Sequence, residues 1–186
     1  MTGLHDMITQ AAAELRDAAL QVDPVQLTDL AEEITLANQV VCYGLGREGL
    51  MMRALAMRLY HLGVQVQMAF DMSCPPVSSG DLFVVSCGPG ELETAKALVQ
   101  IAKAAGARVA CITAQPQGSV PKASDIVLVL PAQTMANDQA EVQAVLPMGS
   151  VFEGAMFVVF EMLVLILRDR LGQTTEQMRA RHTNLE

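Results

Sequence analysis

The sequence predicts an α/β protein, a three-layer α/β/α sandwich around a five-stranded parallel sheet. Between residues 39 and 131, short runs that are apolar throughout alternate with helical stretches. Strands that are apolar on both faces are typical of a parallel sheet covered on both sides, and the helical stretches between most of them predict right-handed crossovers. The five runs are QVVCYG, VQVQMAF, DLFVVSC, ARVACIT and DIVLVLP.

Two helices are predicted before the sheet. Apolar residues recur at helical spacing over residues 4–21, which indicates an amphipathic helix. The stretch DPVQLTDLAEEITLA predicts a second helix, with Asp23 as its N-cap and Pro24 at the first helical position, where a missing N–H costs nothing. Crossover helices are predicted over residues 47–62 and 91–105.

The C-terminal part begins with a polar, irregular stretch over residues 132–146, which we interpret as a flexible loop. The segment SVFEGAMFVVFEMLVLILRDRL follows and predicts a long apolar helix. Glu153 and Glu161 interrupt it, and each would cost about 2.5 to 3.5 kcal/mol near a bilayer centre, so we expect a helix buried in protein. Because it is apolar nearly all round, we expect it to lie in an oligomer interface.

One domain is expected to span residues 1–186, with N-terminal helices in 1–38, the sheet and its crossovers in 39–131, and C-terminal helices and a tail in 147–186. The formal net charge is −8, and the twelve Lys and Arg residues are scattered, which argues against nucleic-acid binding. MTGLHDMITQ has no signal-peptide pattern, so we expect a cytoplasmic protein without a membrane partner.

The cysteines predict neither a disulfide framework nor a metal site. They show no C-x-x-C pairing, three of them lie in or beside strand-like runs, and the three histidines form no close cluster with them. Buried free thiols are therefore expected, although Cys87 lies in a glycine-rich turn where a thiol could meet a ligand. The four are Cys42, Cys74, Cys87 and Cys111.

Two glycine-rich turns, YGLGREGL and SCGPGELET, follow the first and third strand-like runs. Ligands of parallel sheets bind at the carboxyl ends of strands, where glycine permits close backbone approach and a helix start favours an anion. GLGREG also matches the G-x-G-x-x-G pattern of dinucleotide-binding folds, but the next strand offers only Asp71 as a loose ribose-binding candidate. Arg47 is either a solvated residue at a helix start or an anion ligand.

Several longer segments resemble the sugar isomerase (SIS) domain proteins of the 6-phospho-3-hexuloisomerase type. They are GLGREGLMMRALAMRLYHLG, PPVSSGDLFVVSCGPGE, GARVACITAQP, VLPMGSVFEGAMFVVFE and MRARHTNLE. The resemblance implies a five-stranded parallel sheet, a homotetramer and the interconversion of a 3-hexulose 6-phosphate and fructose 6-phosphate, without a metal or an organic cofactor. It also implies that Glu153 and His182 are the acid–base residues and that the glycine turns hold the phosphate.

The residues themselves leave alternatives open for these two positions. One carboxylate can move a proton between neighbouring carbons if its pKa lies near the working pH, and a histidine can donate or accept a proton at the sugar oxygens. Glu153 could instead only stabilise the start of its helix, an effect worth about 0.3 to 1 kcal/mol. His182 could be a solvated residue of a polar tail.

The turns depart from the resembled pattern. Glu48 stands where the family's G-x-G-R-S-G has serine, and Cys87, Pro89 and Leu92 replace hydroxyl residues of S-G-S-G-E-T. Backbone N–H groups could still hold a phosphate, with Thr94 nearby, or Glu48 could accept hydrogen bonds from sugar hydroxyls. The predicted substrate-binding residues are Gly44, Gly46, Arg47, Glu48, Ser86, Cys87, Gly88, Gly90 and Glu91.

Two functions of different classes are compatible with the sequence. The first is a ketose-phosphate isomerase that works through an enediol with Glu153 and His182. The second is a non-catalytic SIS module that binds a sugar phosphate or another carbohydrate derivative. Such modules usually accompany a DNA-binding domain, and no helix-turn-helix segment or basic region is present here, so the sequence favours the enzyme.

Overall fold

A computed structural model describes residues 3–137 and 144–185 of the chain. It contains the predicted parallel sheet of five strands, in the order β2-β1-β3-β4-β5. Each strand coincides with one of the five apolar runs of the sequence. The strands are β1 Val40–Tyr43, β2 Val66–Met68, β3 Leu82–Ser86, β4 Arg108–Thr113 and β5 Ile126–Val129.

The predicted helices are present, with ends that differ from the predicted ones by at most two residues. Two short helices, α5 and α7, lie outside the individually predicted ranges. Thr174 and Gln177 form a capping box at the start of α7, which is the signal that could have located it. The helices are α1 Leu4–Leu20, α2 Pro24–Leu36, α3 Gly46–His61, α4 Glu93–Ala104, α5 Ser119–Ala123, α6 Ser150–Arg170 and α7 Thr175–Ala180.

The sheet separates two apolar layers, because successive strand residues point to opposite faces. Leu82 and Val84 of β3 pack in one layer with helices α2, α3 and α6, whereas Phe83 and Val85 pack in the other with α4 and Val120 of α5. All five residues of β3 are buried. Coverage on both faces explains why the strands are apolar throughout rather than alternating.

The N-terminal helices follow their sequence signals. The Asp23 carboxylate accepts a hydrogen bond from the Val25 N–H at 2.8 Å, and Pro24 occupies the first position of α2, as predicted. The predicted loop over residues 132–146 falls partly on residues 138–143, which lie outside the described residues. Its described parts, residues 132–137 and 144–146, contain no helix or strand.

Helix α6 packs as the central helix of the larger apolar layer. By length and composition alone it could cross a membrane, with a mean hydropathy of 2.1, but half of that apolar window is buried inside the fold. Phe152 and Leu163 are among its buried residues. Four large apolar side chains on its outer face are at least 39% exposed: Phe157, Val158, Met162 and Leu165.

The start of α3 lies unusually close to the end of β1. A Cβ atom built on Gly49 would lie 2.5 Å from the Gly44 carbonyl oxygen, and one on Gly44 would lie 3.0 Å from the Gly49 nitrogen. These two glycines, the first and last of the G-x-G-x-x-G pattern, therefore let the helix dock against the strand end. The contact fixes the first turn of α3, which carries Arg47 and Glu48.

Replacing Gly49 with alanine should lower the free energy of unfolding by about 1 to 3 kcal/mol, the usual cost of overpacking, because the added methyl group meets backbone atoms. Urea unfolding measures the change. Gly3→Ala is the control, since its Cβ would only reach ordinary contact, 3.4 Å from Asp6 Oδ2. Equal stability of Gly49→Ala and the unchanged protein would contradict the close docking.

Candidate active site

A cavity of about 390 Å³ opens at the carboxyl ends of the strands. Its walls come from the first glycine turn after β1, the second glycine turn after β3, the segment after β5 and the first turn of α6. This is the edge of the sheet at which the sequence predicted a ligand. The lining residues are Leu45, Gly46, Arg47, Glu48, Pro89, Leu92, Thr134, Met135, Met148, Gly149, Phe152 and Glu153.

Arg47 connects the first glycine turn to the start of α6. Its guanidinium donates to the Ser150 hydroxyl and to the Met148 carbonyl, both at 2.7 Å, and lies 3.0 Å from Glu153 Oε2. The Arg47 side chain is half-exposed (49%), so part of the guanidinium faces solvent at the cavity. Arg47 is thus an ion-pair partner of Glu153 rather than a freely solvated arginine.

Glu153 lies in the first turn of α6 and faces the cavity. Its side chain is only 17% exposed. Oε2 is buried beside Arg47, yet no described residue directs a hydrogen bond of good geometry at it. Oε2 is therefore held by the charge of Arg47, while the partly exposed remainder of the Glu153 side chain lines the cavity.

Glu48 reaches from α3 into the second glycine turn. Its Oε2 accepts hydrogen bonds from the Ser86 hydroxyl at 2.5 Å and from the Gly88 N–H at 3.0 Å, and Oε1 lies 3.2 Å from the same N–H. A Cβ atom on Gly88 would lie 2.8 Å from Oε1, so glycine is needed for this approach. The sequence assigned Ser86 and Gly88 to a ligand, but their donors bind the carboxylate of Glu48 instead.

Both cavity carboxyls bind protons more readily than ordinary glutamates. Burial raises the pKa of Glu48, and the hydrogen bonds from Ser86 and Gly88 only partly oppose this effect. Burial also raises the pKa of Glu153; the Arg47 charge lowers it, and the Glu48 charge raises it further. A raised pKa brings Glu153 closer to the range in which a general base can both take and return a proton.

The remaining residues predicted in the second turn do not face the cavity with their polar groups. The Gly90 N–H donates to the Cys87 carbonyl at 2.9 Å, and the Glu91 carboxylate accepts from the Ser119 N–H and hydroxyl. Cys87 is fully buried in the smaller apolar layer, where burial raises the pKa of its thiol to about 12. Ligand contacts by these three residues stay predictions.

His182 lies far from Glu153 within one chain. Its ring stacks on that of His61, with 5.3 Å between the ring centroids, at the end of α3 opposite to Arg47. That helix separates the two ends by about 20 Å at 1.5 Å per residue. Arg181 ties the tail down, donating to the His61 carbonyl and the Gln173 side chain, both at 2.9 Å. The predicted pairing of Glu153 with His182 is therefore not formed inside one chain.

The cavity also has walls that the sequence analysis did not assign. Met148 and Phe152 lie within the PMGSVFE segment, so their closeness to Glu153 was the available signal. Thr134 and Met135 follow β5 in a stretch with no recognisable motif. In the described ranges, His, Cys, Asp and Glu side chains form no group of three that could hold a metal ion.

Comparison with known proteins gives the family. The SIS domain family profile matches residues 33–158. A 3-hexulose-6-phosphate isomerase of Mycobacterium gastri is 36% identical over 93% of this chain and 86% of the relative. The chain belongs to the SIS domain family. The resemblance drawn from the glycine turns, PMGSVFE and RHTNLE is confirmed.

A second relative and a solved structure are also similar to this chain. A 3-hexulose-6-phosphate isomerase of Bacillus subtilis (strain 168) is 29% identical over 97% of this chain and 98% of the relative. A crystal structure of a Methanococcus jannaschii protein, for which a molecular function of 3-hexulose-6-phosphate isomerase was inferred, superposes with a TM-score of 0.83. The two share 23% identity over 96% of this chain and 98% of that one, so this likeness concerns the SIS fold.

The raised pKa of Glu48 predicts a pH-dependent cost in stability. Above the ordinary pKa of 4.5, the folded chain binds this proton more readily than the unfolded chain. Stability from this group therefore falls as pH rises through the folded pKa. The Glu48→Gln variant has no titrating group at this position. The free energy of unfolding of the variant minus that of the unchanged protein should therefore increase from pH 4.5 to pH 8.

Urea unfolding at several pH values in that window measures the difference. Glu32→Gln, an exposed carboxylate on α2, is the matched control for the loss of one negative charge. If the Glu48→Gln difference stays constant with pH, or shrinks as pH rises, the buried carboxyl is not held in a raised-pKa environment.

Proposed function

We propose that the protein is a 3-hexulose-6-phosphate isomerase, which interconverts a 3-hexulose 6-phosphate and fructose 6-phosphate through an enediol. The observation that carries the proposal is the Glu153 carboxylate, which is mostly buried, faces the cavity beside Arg47 and has a raised pKa. Family membership and relatives named for this activity support the same substrate class.

The reaction needs one base that serves two neighbouring carbons. Glu153 removes the proton from C2 of the 3-keto sugar, the electron pair forms the C2=C3 double bond, and the C3 oxygen gains a proton. Return of the proton to C3, with loss of the proton from the C2 hydroxyl, places the carbonyl at C2. The Arg47 guanidinium keeps the resting carboxylate charged and oriented toward the cavity.

A second group is needed to move protons between the C2 and C3 oxygens, and we assign it to His182 of a neighbouring subunit. Within one chain, His182 lies at one end of α3 and Arg47, the ion-pair partner of Glu153, at the other end about 20 Å away, so His182 cannot act with the Glu153 of its own chain. Exposed apolar side chains on α3 and α6 support assembly of the chain with copies of itself. They are Leu50, Met57 and Tyr60 on α3 and Phe157, Val158, Met162 and Leu165 on α6. We propose a homotetramer, and a cytoplasmic location for it.

Glu153→Gln should lower the turnover number by about two to four orders of magnitude with little change in substrate binding, because the amide keeps the shape but removes the base. Solvent deuterium exchange at the substrate carbon gives the mechanism-specific measurement. The unchanged enzyme should incorporate label, and the variant almost none.

Glu93→Gln is the matched control, since Glu93 is also a first-turn carboxylate, on α4, but is exposed and does not line the cavity. It should retain normal turnover. Full deuterium exchange in Glu153→Gln would mean that another base removes the proton. If no ketose phosphate is turned over by the unchanged protein, the non-catalytic binding module becomes the correct function.

Mixing two inactive variants tests the shared site. Glu153→Gln and His182→Asn should each lose activity alone, whereas subunits unfolded together and refolded should regain activity, about a quarter of the normal value for random pairing across a two-fold interface. The reason is that half of the sites in a mixed pair combine an intact Glu153 with an intact His182. Native mass spectrometry confirms that mixed oligomers form, because the two variant subunits differ in mass.

The control is each variant refolded by itself, which should stay inactive. Two results would contradict the arrangement. One is mixed oligomers without regained activity, and the other is a stable folded monomer at micromolar concentration. Normal activity of His182→Asn alone would remove the histidine from the reaction.

A further inference from the structure

The second glycine turn already contains an anion, which is the carboxylate of Glu48. The Ser86 hydroxyl and the Gly88 N–H donate to it, and the missing side chain at Gly88 makes room for it. Hydroxyl and backbone N–H groups arranged in this way are the usual donors for a phosphate at the start of a helix. Here the Glu48 carboxylate, on α3, accepts the hydrogen bonds of these donors.

Two neighbouring backbone positions of this turn offer a ligand no donor. Pro89 has no N–H. The Gly90 N–H donates to Cys87, and the side chain of Glu91 is turned toward Ser119. A phosphate that binds the Ser86 hydroxyl and the Gly88 N–H would have to displace Glu48 and would leave its carboxylate partly buried without these hydrogen bonds.

The charge of the cavity opposes a dianion at the same place. Among the described residues that line the cavity, Arg47 is the cation, and the carboxylates of Glu48 and Glu153 outnumber it. Arg47 already neutralises Glu153 at 3.0 Å. A phosphate against Glu48 would therefore meet a like charge in a partly buried place, where solvent screens it weakly.

We propose that Glu48 takes the place of a substrate phosphate in the glycine turns and determines which end of the sugar enters them. The turns receive a hydroxyl-bearing end, whose O–H groups donate to the Glu48 carboxylate. The phosphate group lies outside the turns. The identity of the substrate in this assignment rests on the proposed function. The exclusion of a dianion from the turns does not.

Binding of inorganic phosphate to the unchanged protein and to two variants tests the proposal. Glu48→Ser and Glu48→Ala both free the Ser86 hydroxyl and the Gly88 N–H and remove the repelling charge. Isothermal titration at pH 8 should show at least tenfold tighter phosphate binding in each variant than in the unchanged protein. Equal affinity in all three proteins would overturn the proposal.

A measurement on the unchanged protein keeps the test decisive if neither variant folds. The amide signal of Gly88 in a ¹⁵N-labelled sample should not shift on titration with inorganic phosphate, because its N–H stays with Glu48. A saturable shift of that signal would overturn the proposal. Sulfate serves as a second probe, since its charge does not change over the pH range of the experiment.

The substrate orientation has its own readout. Glu48→Gln keeps an acceptor in the turn but removes the charge, so the Michaelis constant for the hexulose phosphate should rise more than the turnover number falls. An unphosphorylated ketose should bind the unchanged protein more tightly than Glu48→Ser, which lacks the carboxylate acceptor. The opposite order would show that the sugar hydroxyls do not reach Glu48.

Failure of this inference is separable from failure of the proposed function. If the unchanged protein isomerises 3-hexulose 6-phosphate and phosphate binds its glycine turn, the function stands and the role of Glu48 falls. If the protein isomerises no ketose phosphate while Glu48→Ser gains phosphate affinity, the exclusion of the dianion stands and the isomerase proposal falls.

Discussion

The close contact between the start of α3 and the end of β1 is the constraint on which the site depends. Gly44 and Gly49 have no side chains, so the helix can begin directly against the strand end. A Cβ atom on Gly49 would lie only 2.5 Å from the Gly44 carbonyl oxygen. This docking points the second and third residues of α3 in different directions. Arg47 reaches α6, and Glu48 reaches the turn after β3.

Charge then determines how the cavity is organised. The cavity lining has one guanidinium, on Arg47, and two carboxylates, and Arg47 pairs with only one of them, Glu153. Glu153 is left with a buried oxygen that lacks a directed hydrogen bond, whereas Glu48 is satisfied by donors of the glycine turn. Displacing Glu48 would cost the two hydrogen-bond donors of the turn, whereas no hydrogen bond of good geometry has to be broken at Glu153 Oε2.

The C-terminal tail and the outer face of α6 both bear on the proposed assembly of the chain into an oligomer. Arg181 anchors the tail at the end of α3 far from the cavity, with His182 against His61. An apolar helix in the middle of a bundle buries nine of its residues and still exposes large side chains such as Phe157. In the proposed oligomer, a neighbouring copy would cover those side chains and bring its tail to the cavity.

Local signals made much of the fold predictable. The five apolar runs gave the strands because burial on both faces leaves no polar position in a central strand. Asp23 and Pro24 gave the start of α2, since capping depends on residues next to each other in the chain. The motifs around the glycine turns and Glu153 were recognisable for the same reason, and they identified the family.

The sequence by itself therefore determined the strands, the main helices, the family and the first turn that carries Arg47 and Glu48. Only the tertiary structure decided what those residues touch. Glu48 lies 38 to 40 positions from its donors, Ser86 and Gly88, and Arg47 lies about a hundred positions from Ser150. Contacts of that kind have no local signal, because they arise from the order of strands in the sheet, which brings distant turns to one edge and leaves His182 at the other end of α3.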